Sequence, residues 1–206
     1  MVKLSESRSL SLLALLATAI MLLAGGCARY ARDVNELYVP AVNLHGKSGE
    51  VYIVIPENQQ TRQPNIKWVL GSVTDPDNIK IDEIYSPRSG YELVQDALAL
   101  ELKQAGFNVY EPAAKPASAT HLLYLSKVEF VLDQVSSLYD INVAAKLNME
   151  IDLFRNGKFQ RKLRYELSSS RIDIKERDLV ARALQRDILQ SAMKYAVPDV
   201  VAAFEK

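Results

Sequence analysis

The sequence predicts an α+β domain in which a mostly antiparallel sheet carries two long helices on one face. Three observations support this prediction. The elements follow in the order strands, helix, long strand pair, helix, which is typical of α+β proteins. Apolar and polar residues alternate without a break from Ile141 to Leu153, as in a strand with one buried face. Ser89 and Glu92 form a capping-box pattern at the start of the clearest helix.

The chain begins with the features of a secretory signal. Lys3 and Arg8 precede an apolar run from Leu10 to Ala24, and this run is shorter than the roughly 20 residues that span a bilayer. Small residues then lead to Cys27, the only cysteine in the chain. We therefore expect residues 1–26 to be a signal peptide that is removed.

The stretch from Leu22 to Cys27 resembles a bacterial lipobox, although Ala24 stands where leucine is common. An ordinary signal peptide with a nearby cysteine is the alternative, but a lone thiol is unusual in an oxidising compartment. The resemblance implies lipidation of Cys27, and several acyl chains on one residue give stable anchoring. Ala28 follows the cysteine instead of aspartate, which by resemblance to enterobacterial sorting favours the outer membrane, facing the periplasm, over the inner membrane.

Polar composition divides the mature chain into a lipidated tether, residues 27–49, and one periplasmic α+β domain, residues 50–206. Within the tether, the apolar patch Leu37–Val42 predicts a short edge strand, because Pro40 is tolerated only at an edge.

Three strands are predicted at the start of the domain. Val51–Ile55 is rich in β-branched residues and is bounded by glycine and proline. Two weaker strands, Ile66–Val73 and Ile79–Tyr85, flank the turn pattern Asp75–Asn78.

The first helix is expected to begin after Ser89 and to end at Gly106, which suits the C′ position. Its apolar stripe and its outward face are separated by helical spacing. The stripe comprises Val94, Leu98, Leu102 and Ala105, and the outward face Glu92, Gln95, Asp96 and Lys103. A strand is expected to begin directly after it, at 107–110.

Two long strands joined at Asn156-Gly157 are the strongest β signal. A two-residue turn would place Ile151 opposite Lys162, so we expect a three-residue loop, Arg155–Gly157, with Gly157 in the left-handed region. This register pairs Leu153 with Phe159, Met149 with Leu163, Leu147 with Tyr165, Glu150 with Lys162 and Lys146 with Glu166. In the strand before the hairpin, one face is expected to hold Leu122, Tyr124, Ser126, Val128, Phe130 and Leu132. The serines 168–170 are interpreted as a frayed strand end.

A last helix is expected to begin between Asp173 and Asp178 and to run to about Ala196. Pro198 should end or kink it, since proline in a helix interior costs about 3 kcal/mol. Its predicted stripe is Val180, Leu184, Ile188, Ala192 and Tyr195.

Composition excludes several function classes. Basic and acidic residues balance at 25 each, so the electrostatic signature of nucleic-acid binding is missing. The two histidines, His45 and His121, have no partners at metal-ligand spacing, and no nucleophile–base pattern appears. We therefore expect no enzyme activity, no cofactor and no metal.

Three weaker features each allow two interpretations. Glu101 and Asp187 lie near the two helix stripes and could form a buried acid pair, or could sit at stripe edges. The basic residues Arg161, Lys162, Arg164, Arg171 and Lys175 are either a solvated hairpin face or a lipid-headgroup site. The polar face of the long strands, from Asn142 to Asp152, is either solvated or a docking surface.

Taken together, the lipobox, the early strand followed by Gln59–Arg62, the helix Tyr91–Leu98 with its Ala105–Phe107 exit, and the Asn-Gly hairpin resemble the YajG family of bacterial lipoproteins. The exit from Leu102 to Val109 is also similar to that of auxiliary lipoproteins of ABC-type lipid transporters. The YajG resemblance implies an outer-membrane lipoprotein without enzymatic residues, and it transfers no site.

Two functions follow as hypotheses. The first is a non-enzymatic envelope lipoprotein that binds a protein partner on the polar sheet face or at a strand edge. The second is a carrier of lipid or another small ligand, such as an auxiliary lipoprotein of an ABC-type lipid transport system. The first is the main prediction, because the chain combines balanced charge and no catalytic spacing with an expected lipid tether, and the carrier is the alternative.

Overall fold

The computed structural model describes residues 33–61, 63, 65–137, 139–174 and 179–205. The predicted signal peptide, residues 1–26, and Cys27 lie outside them. The described elements are β1 Glu50–Val54, β2 Trp68–Thr74, β3 Lys80–Ser86, α1 Gly90–Ala105, β4 Asn108–Tyr110, β5 His121–Ser136, β6 Ile141–Arg155, β7 Lys158–Asp173 and α2 Val180–Phe204. Neither described helix combines the length and apolarity needed to cross a bilayer.

The seven strands form one mixed sheet around β5. One edge of β5 pairs with β6, which pairs with β7, and both pairings are antiparallel. The other edge pairs in parallel with β1 and with β2, while β4 pairs in parallel with β1. The α+β class is confirmed, but the mostly antiparallel sheet is only partly right. Parallel pairs join strands separated by long crossovers, and local periodicity does not identify such partners.

Both helices pack against the sheet face that holds the apolar residues of β6. The stripe of α1 (Val94, Leu98, Leu102 and Ala105) is fully buried, and the capping box at Ser89 and the left-handed Gly106 are both present. Gln95, however, is buried. Its side-chain amide donates a hydrogen bond to the Ile53 carbonyl at 3.0 Å, which satisfies this polar group inside the protein. The outward assignment of Gln95 was wrong.

Helix α2 extends beyond the predicted end and contains Pro198. The turn after the proline is buried through Val200, Val201 and Phe204, and this burial offsets the missing backbone hydrogen bond. Tyr195, predicted to lie on the apolar stripe, is exposed; Met193 and Ala196 are buried in its stead.

A β-bulge at Ser126 corrects the predicted face of β5. The pairing with β6 shifts between Leu125 and Lys127, so Ser126 is an extra residue and the alternation changes sides there. Val128, Phe130 and Leu132 face the helices as predicted. Leu122 and Tyr124 instead pack with Val54, Ala119 and their neighbours in a separate cluster.

The β6–β7 hairpin has a two-residue turn, not the predicted three-residue loop. Arg155 pairs with Lys158, and both Asn156 and Gly157 have positive φ, 51° and 74°. The register then shifts by one residue at Gln160, so Ile151 faces Leu163 and Glu150 faces Arg164. The bulge places Ile151 opposite an apolar residue, but the predicted register is wrong. The observed partners are Arg161 for Leu153, Tyr165 for Met149, Leu167 for Leu147, Arg164 for Glu150 and Ser168 for Lys146. The left-handed Gly157 is confirmed.

Replacing Gly157 by valine should lower the free energy of unfolding by about 1–3 kcal/mol, because a β-branched residue is strained at positive φ. Gly157→Asn should cost less, since asparagine tolerates that region. Urea denaturation of both variants measures the difference. No neighbouring atom lies within 4 Å of a Cβ built at Gly157, so equal losses would contradict this conformational explanation.

Candidate functional site

Residues 33–49, predicted to be part of the tether, lie along the two helices; we call them the strap. The strap begins with an isolated bridge between Asp33 and Tyr85. Arg182 and Gln190 of α2 donate to the carbonyls of Asp33 and Val39, at 3.3 and 2.8 Å. The predicted edge strand at Leu37–Val42 does not form, because side chains of the two helices form hydrogen bonds with backbone N–H and carbonyl groups of this segment.

Glu101 of α1 binds the middle of the strap. Its carboxylate is 1% exposed and accepts hydrogen bonds from the Tyr38 hydroxyl and from the backbone N–H groups of Ala41 and Val42, the backbone bonds being 2.6 and 3.1 Å long. Several donors to one buried carboxylate satisfy a group that would otherwise be costly to bury. Glu101 therefore serves to fix the strap.

The possible acid pair of Glu101 and Asp187 does not form. The Asp187 side chain is 48% exposed and lies 3.6 Å from the guanidinium of Arg186, whereas Glu101 is engaged by the strap. The sequence signal for Glu101 was an acidic residue near an apolar stripe, and the stripe-edge interpretation is wrong for this residue.

Burial raises the pKa of the Tyr38 hydroxyl above its ordinary value of 10.0, and the hydrogen bond and charge of Glu101 raise it further. The folded protein thus holds this proton more tightly than the unfolded chain. The contribution is fully present below pH 10 and is lost as the pH rises above it. Stability should therefore fall above pH 10, and less steeply in Tyr38→Phe. Urea midpoints across that range test this expectation, and equal slopes would contradict it.

The two histidines each lie beside a backbone carbonyl of another segment. His45 lies 3.4 Å from the Gln104 carbonyl, and His121 lies 3.3 Å from the Glu50 carbonyl. Burial lowers the pKa of His121. Within the described ranges, no group of three or more potential ligands could hold a metal.

Of the basic residues of β7, Lys162 and Arg164 are part of an ion-pair network on the polar sheet face, whereas Arg161 lies opposite Leu153 on the side of the helices. Lys162 and Arg164 both pair with Glu150, at 2.7 and 2.9 Å, and Arg161 donates to the Asp199 carbonyl at 2.6 Å. These contacts favour the solvated-face interpretation over a lipid-headgroup site. Lys175 lies outside the described residues.

Strand β7 has a long free edge. In the described part of the chain it pairs only with β6, along its whole length from Lys158 to Asp173. The serines 168–170 are paired with β6 and are not a frayed end. A surface cleft of about 510 Å³ adjoins this edge and is lined by residues 164–168 of β7 and by the exposed Tyr195 of α2.

A second surface feature is a groove of about 660 Å³ between the strap and α1. Leu93, Ala99 and Leu189 line it and are buried, while Leu37 and Leu100 are exposed beside it. Two ion pairs lie on its lining, Arg88 with Asp96 and Lys103 with Glu111. The groove offers apolar area with a charged margin and no nucleophile–base pair.

No protein-family model matches the chain, and no curated protein is similar to it in sequence. Among solved structures, a Xanthomonas campestris protein assigned to the family DUF330 is similar with a TM-score of 0.52 at 8% identity, covering 85% of this chain and 98% of that one. At this identity the likeness shows a shared fold.

Two further similar structures have TM-scores that are too low to carry an argument. A minor lipoprotein of Acinetobacter baumannii scores 0.36 at 11% identity, covering 63% of this chain and 90% of that one. Rare lipoprotein B of Shewanella oneidensis scores 0.34 at 11% identity, covering 66% and 92%.

Proposed function

We propose that this protein is a non-enzymatic envelope lipoprotein, anchored through Cys27 to the periplasmic side of the outer membrane, that binds a protein partner at the β7 edge. The lipobox-like stretch Leu22–Cys27 and the resemblance to the YajG family support the anchor. The free edge of β7 carries the binding part of the proposal, because an exposed strand edge can accept a strand from another chain.

The two halves of β7 differ in how well they could accept such a strand. The first half contains Lys158, Arg161, Lys162 and Arg164, and charged residues of this kind discourage edge-to-edge pairing. The stretch Leu167–Ser170 is uncharged, and the cleft beside Tyr195 adjoins its beginning. A partner strand would therefore pair along residues 165–170 and place a side chain in this cleft, which would supply specificity.

Photo-crosslinking in cells tests the binding surface. We expect crosslinks to a protein from probes at Ser168 and Arg164, and fewer from Asn148, which lies on the sheet face away from the edge. A probe at the exposed Lys103 of α1 is the control. Crosslinks from Lys103 alone, or from no position in correctly localised protein, would refute the edge proposal.

A matched pair of proline variants separates edge pairing from general damage. Adjacent residues in an antiparallel strand direct their N–H groups to opposite sides, so of Ser168→Pro and Ser169→Pro only one removes an outward donor. Suppose that the variant without the outward donor still folds. Loss of the crosslink from the Arg164 probe in this variant would then support strand addition. Retention of the crosslink in both folded variants would contradict it.

Lipidation of Cys27 is tested separately from partner binding. Cys27→Ser should leave unprocessed or soluble protein whose domain still folds, because the acyl chains are attached outside the packed core. Intact mass should show a diacylglyceryl group on Cys27 of the wild-type mature protein, and an unmodified chain with another start would refute the anchor. Density-gradient fractionation tests the outer membrane separately.

The groove beside the strap favours a second function, a lipid or small-ligand carrier, such as an auxiliary lipoprotein of an ABC-type lipid transport system. Its volume of about 660 Å³ lies in the range of small-molecule sites, and Leu37 and Leu100 offer exposed apolar surface. Mass spectrometry of purified protein would detect a bound lipid. Loss of that lipid in Leu100→Glu, but not in Tyr195→Glu, would favour the carrier.

A further inference from the structure

Strand register brings three connections of the chain to one end of the sheet. Val73, at the end of β2, pairs with Gln134 near the end of β5. Ser136 then pairs with Ile141, and Ile141 with Asp173. The β2–β3 turn, the β5–β6 turn and the exit from β7 into α2 therefore lie at the same end.

This end carries a group of exposed apolar side chains, which we call the apolar tip. Solvent-exposed fractions are 63% for Ile79, 80% for Tyr139, 63% for Ile172, 69% for Ile174 and 50% for Leu179. Single exposed apolar residues are ordinary on a protein surface, but several at one end indicate an interaction site. None of them lines the groove or the cleft described above, although Ile172 lies near the end of β7.

The described chain starts beside β3 and α2: Asp33 bridges Tyr85, which is six residues after Ile79 and so about 20 Å along the strand from the apolar tip. Arg182, in the first turn of α2, donates to the Asp33 carbonyl, and it lies about 5 Å along the helix axis from Leu179. Asp33 is six residues after Cys27, which limits the separation of these two residues to about 20 Å. An extended chain of six residues spans the distance from Asp33 to the level of the tip, so a membrane that holds acyl chains on Cys27 is within reach of the tip.

The charged residues around the apolar tip indicate which kind of lipid surface the tip could bind. In the sequence, these connections and their flanks carry six acidic and four basic residues: Asp75, Asp77, Asp140, Asp173, Glu176, Asp178, Lys80, Arg171, Lys175 and Arg177. An acidic excess disfavours binding to anionic headgroups, because basic residues provide that attraction. Tyr139 combines an apolar ring with a hydroxyl, which suits the boundary between headgroups and acyl chains.

We infer that the apolar tip inserts into the interfacial layer of a zwitterionic lipid surface, the membrane in which Cys27 is anchored. This inference depends on the proposed lipidation of Cys27. The strap holds α2 close to the anchor, and insertion of the tip would fix the orientation of the domain. The β6–β7 turn, at the opposite end of the sheet, would then point away from the membrane.

Single-cysteine labelling of the mature lipoprotein tests the inference. The thioether on Cys27 blocks the only native thiol, so Tyr139→Cys and Ile174→Cys can each carry one fluorophore. The matched controls are Phe159→Cys, at the opposite end of the sheet, and Tyr195→Cys, both at exposed apolar residues. Each protein is reconstituted into phosphatidylcholine vesicles whose acyl chains are brominated and quench nearby fluorophores.

We expect quenching at positions 139 and 174 to be at least about threefold stronger than at 159 and 195, because interfacial insertion reaches the acyl boundary. Flotation of the vesicles reports the anchor independently. Protein that floats with equal quenching at all four positions would overturn the inference and leave the anchor intact. Protein that does not float would overturn both, and an unquenched tip that crosslinks to a protein in cells would assign it to a protein partner.

Discussion

Replacing Gly71 with alanine should lower the free energy of unfolding by about 3 kcal/mol or more. Gly71 lies in β2 where the strand passes β5, and a Cβ at this position would be 1.7 Å from the Leu132 carbonyl oxygen and 2.5 Å from its carbon. The obstructing atoms are backbone, so no side-chain rotation can relieve the overlap. Either β2 separates from β5 or both strands distort.

Gly157→Ala is the matched control for Gly71→Ala. It introduces the same methyl group at a positive φ of 74°, with no atom within 4 Å, and should cost only about 1–2 kcal/mol. Urea denaturation gives the free energy of unfolding of both variants, and so compares the cost of steric overlap at Gly71 with the cost of backbone strain at Gly157. A loss at Gly71 no greater than at Gly157 would show that β2 is not held against β5 as described.

Replacing Glu101 with glutamine should lower the free energy of unfolding by about 2–4 kcal/mol and should release the strap. Both carboxylate oxygens accept hydrogen bonds, and the N–H of Val42 lies 3.3 Å from Oε1 and 3.1 Å from Oε2. In glutamine, one of these oxygens becomes an NH₂ group that faces N–H donors of the strap. A buried donor is then left without an acceptor, and the charge-assisted bonds are lost.

Hydrogen exchange distinguishes strap release from general destabilisation. In Glu101→Gln, the amides of Ala41 and Val42 should lose protection before those of β6, because the strap opens locally. Asp187→Asn is the control, since Asp187 is an exposed carboxylate on the other helix, and it should change stability by less than about 0.5 kcal/mol. Uniform loss of protection across strap and sheet would argue against a specific role for Glu101.

Features set by neighbours in the chain were predictable from the sequence. The capping box at Ser89 depends on a residue three positions away, and the left-handed Gly106 and Gly157 depend on local backbone geometry. The buried face of β6 follows from strict alternation. Each of these is a short-range preference, so the sequence determined them without reference to the rest of the fold.

The proposed β7 edge and the polar sheet face were only partly predictable. A strand edge was anticipated as a docking surface, but the uncharged serines 168–170 were interpreted as a frayed end, because a run of serines carries no local signal that the strand continues opposite β6. The contact between Glu150 and Lys162 was anticipated, whereas the ion pair between Glu150 and Arg164 depends on the observed register, in which these two residues lie opposite each other.

The strap, the parallel pairings and the apolar tip depend on segments that meet only in the folded protein. Glu101 lies about 60 residues from the strap amides it accepts from, and Ile79, Tyr139 and Ile174 come together through the sheet register. The sequence determined an α+β domain with a lipobox-like start and no catalytic pattern. Tertiary structure decided where the bulges fall and which surfaces stay free, because those outcomes depend on the mutual burial of distant segments and not on local preference.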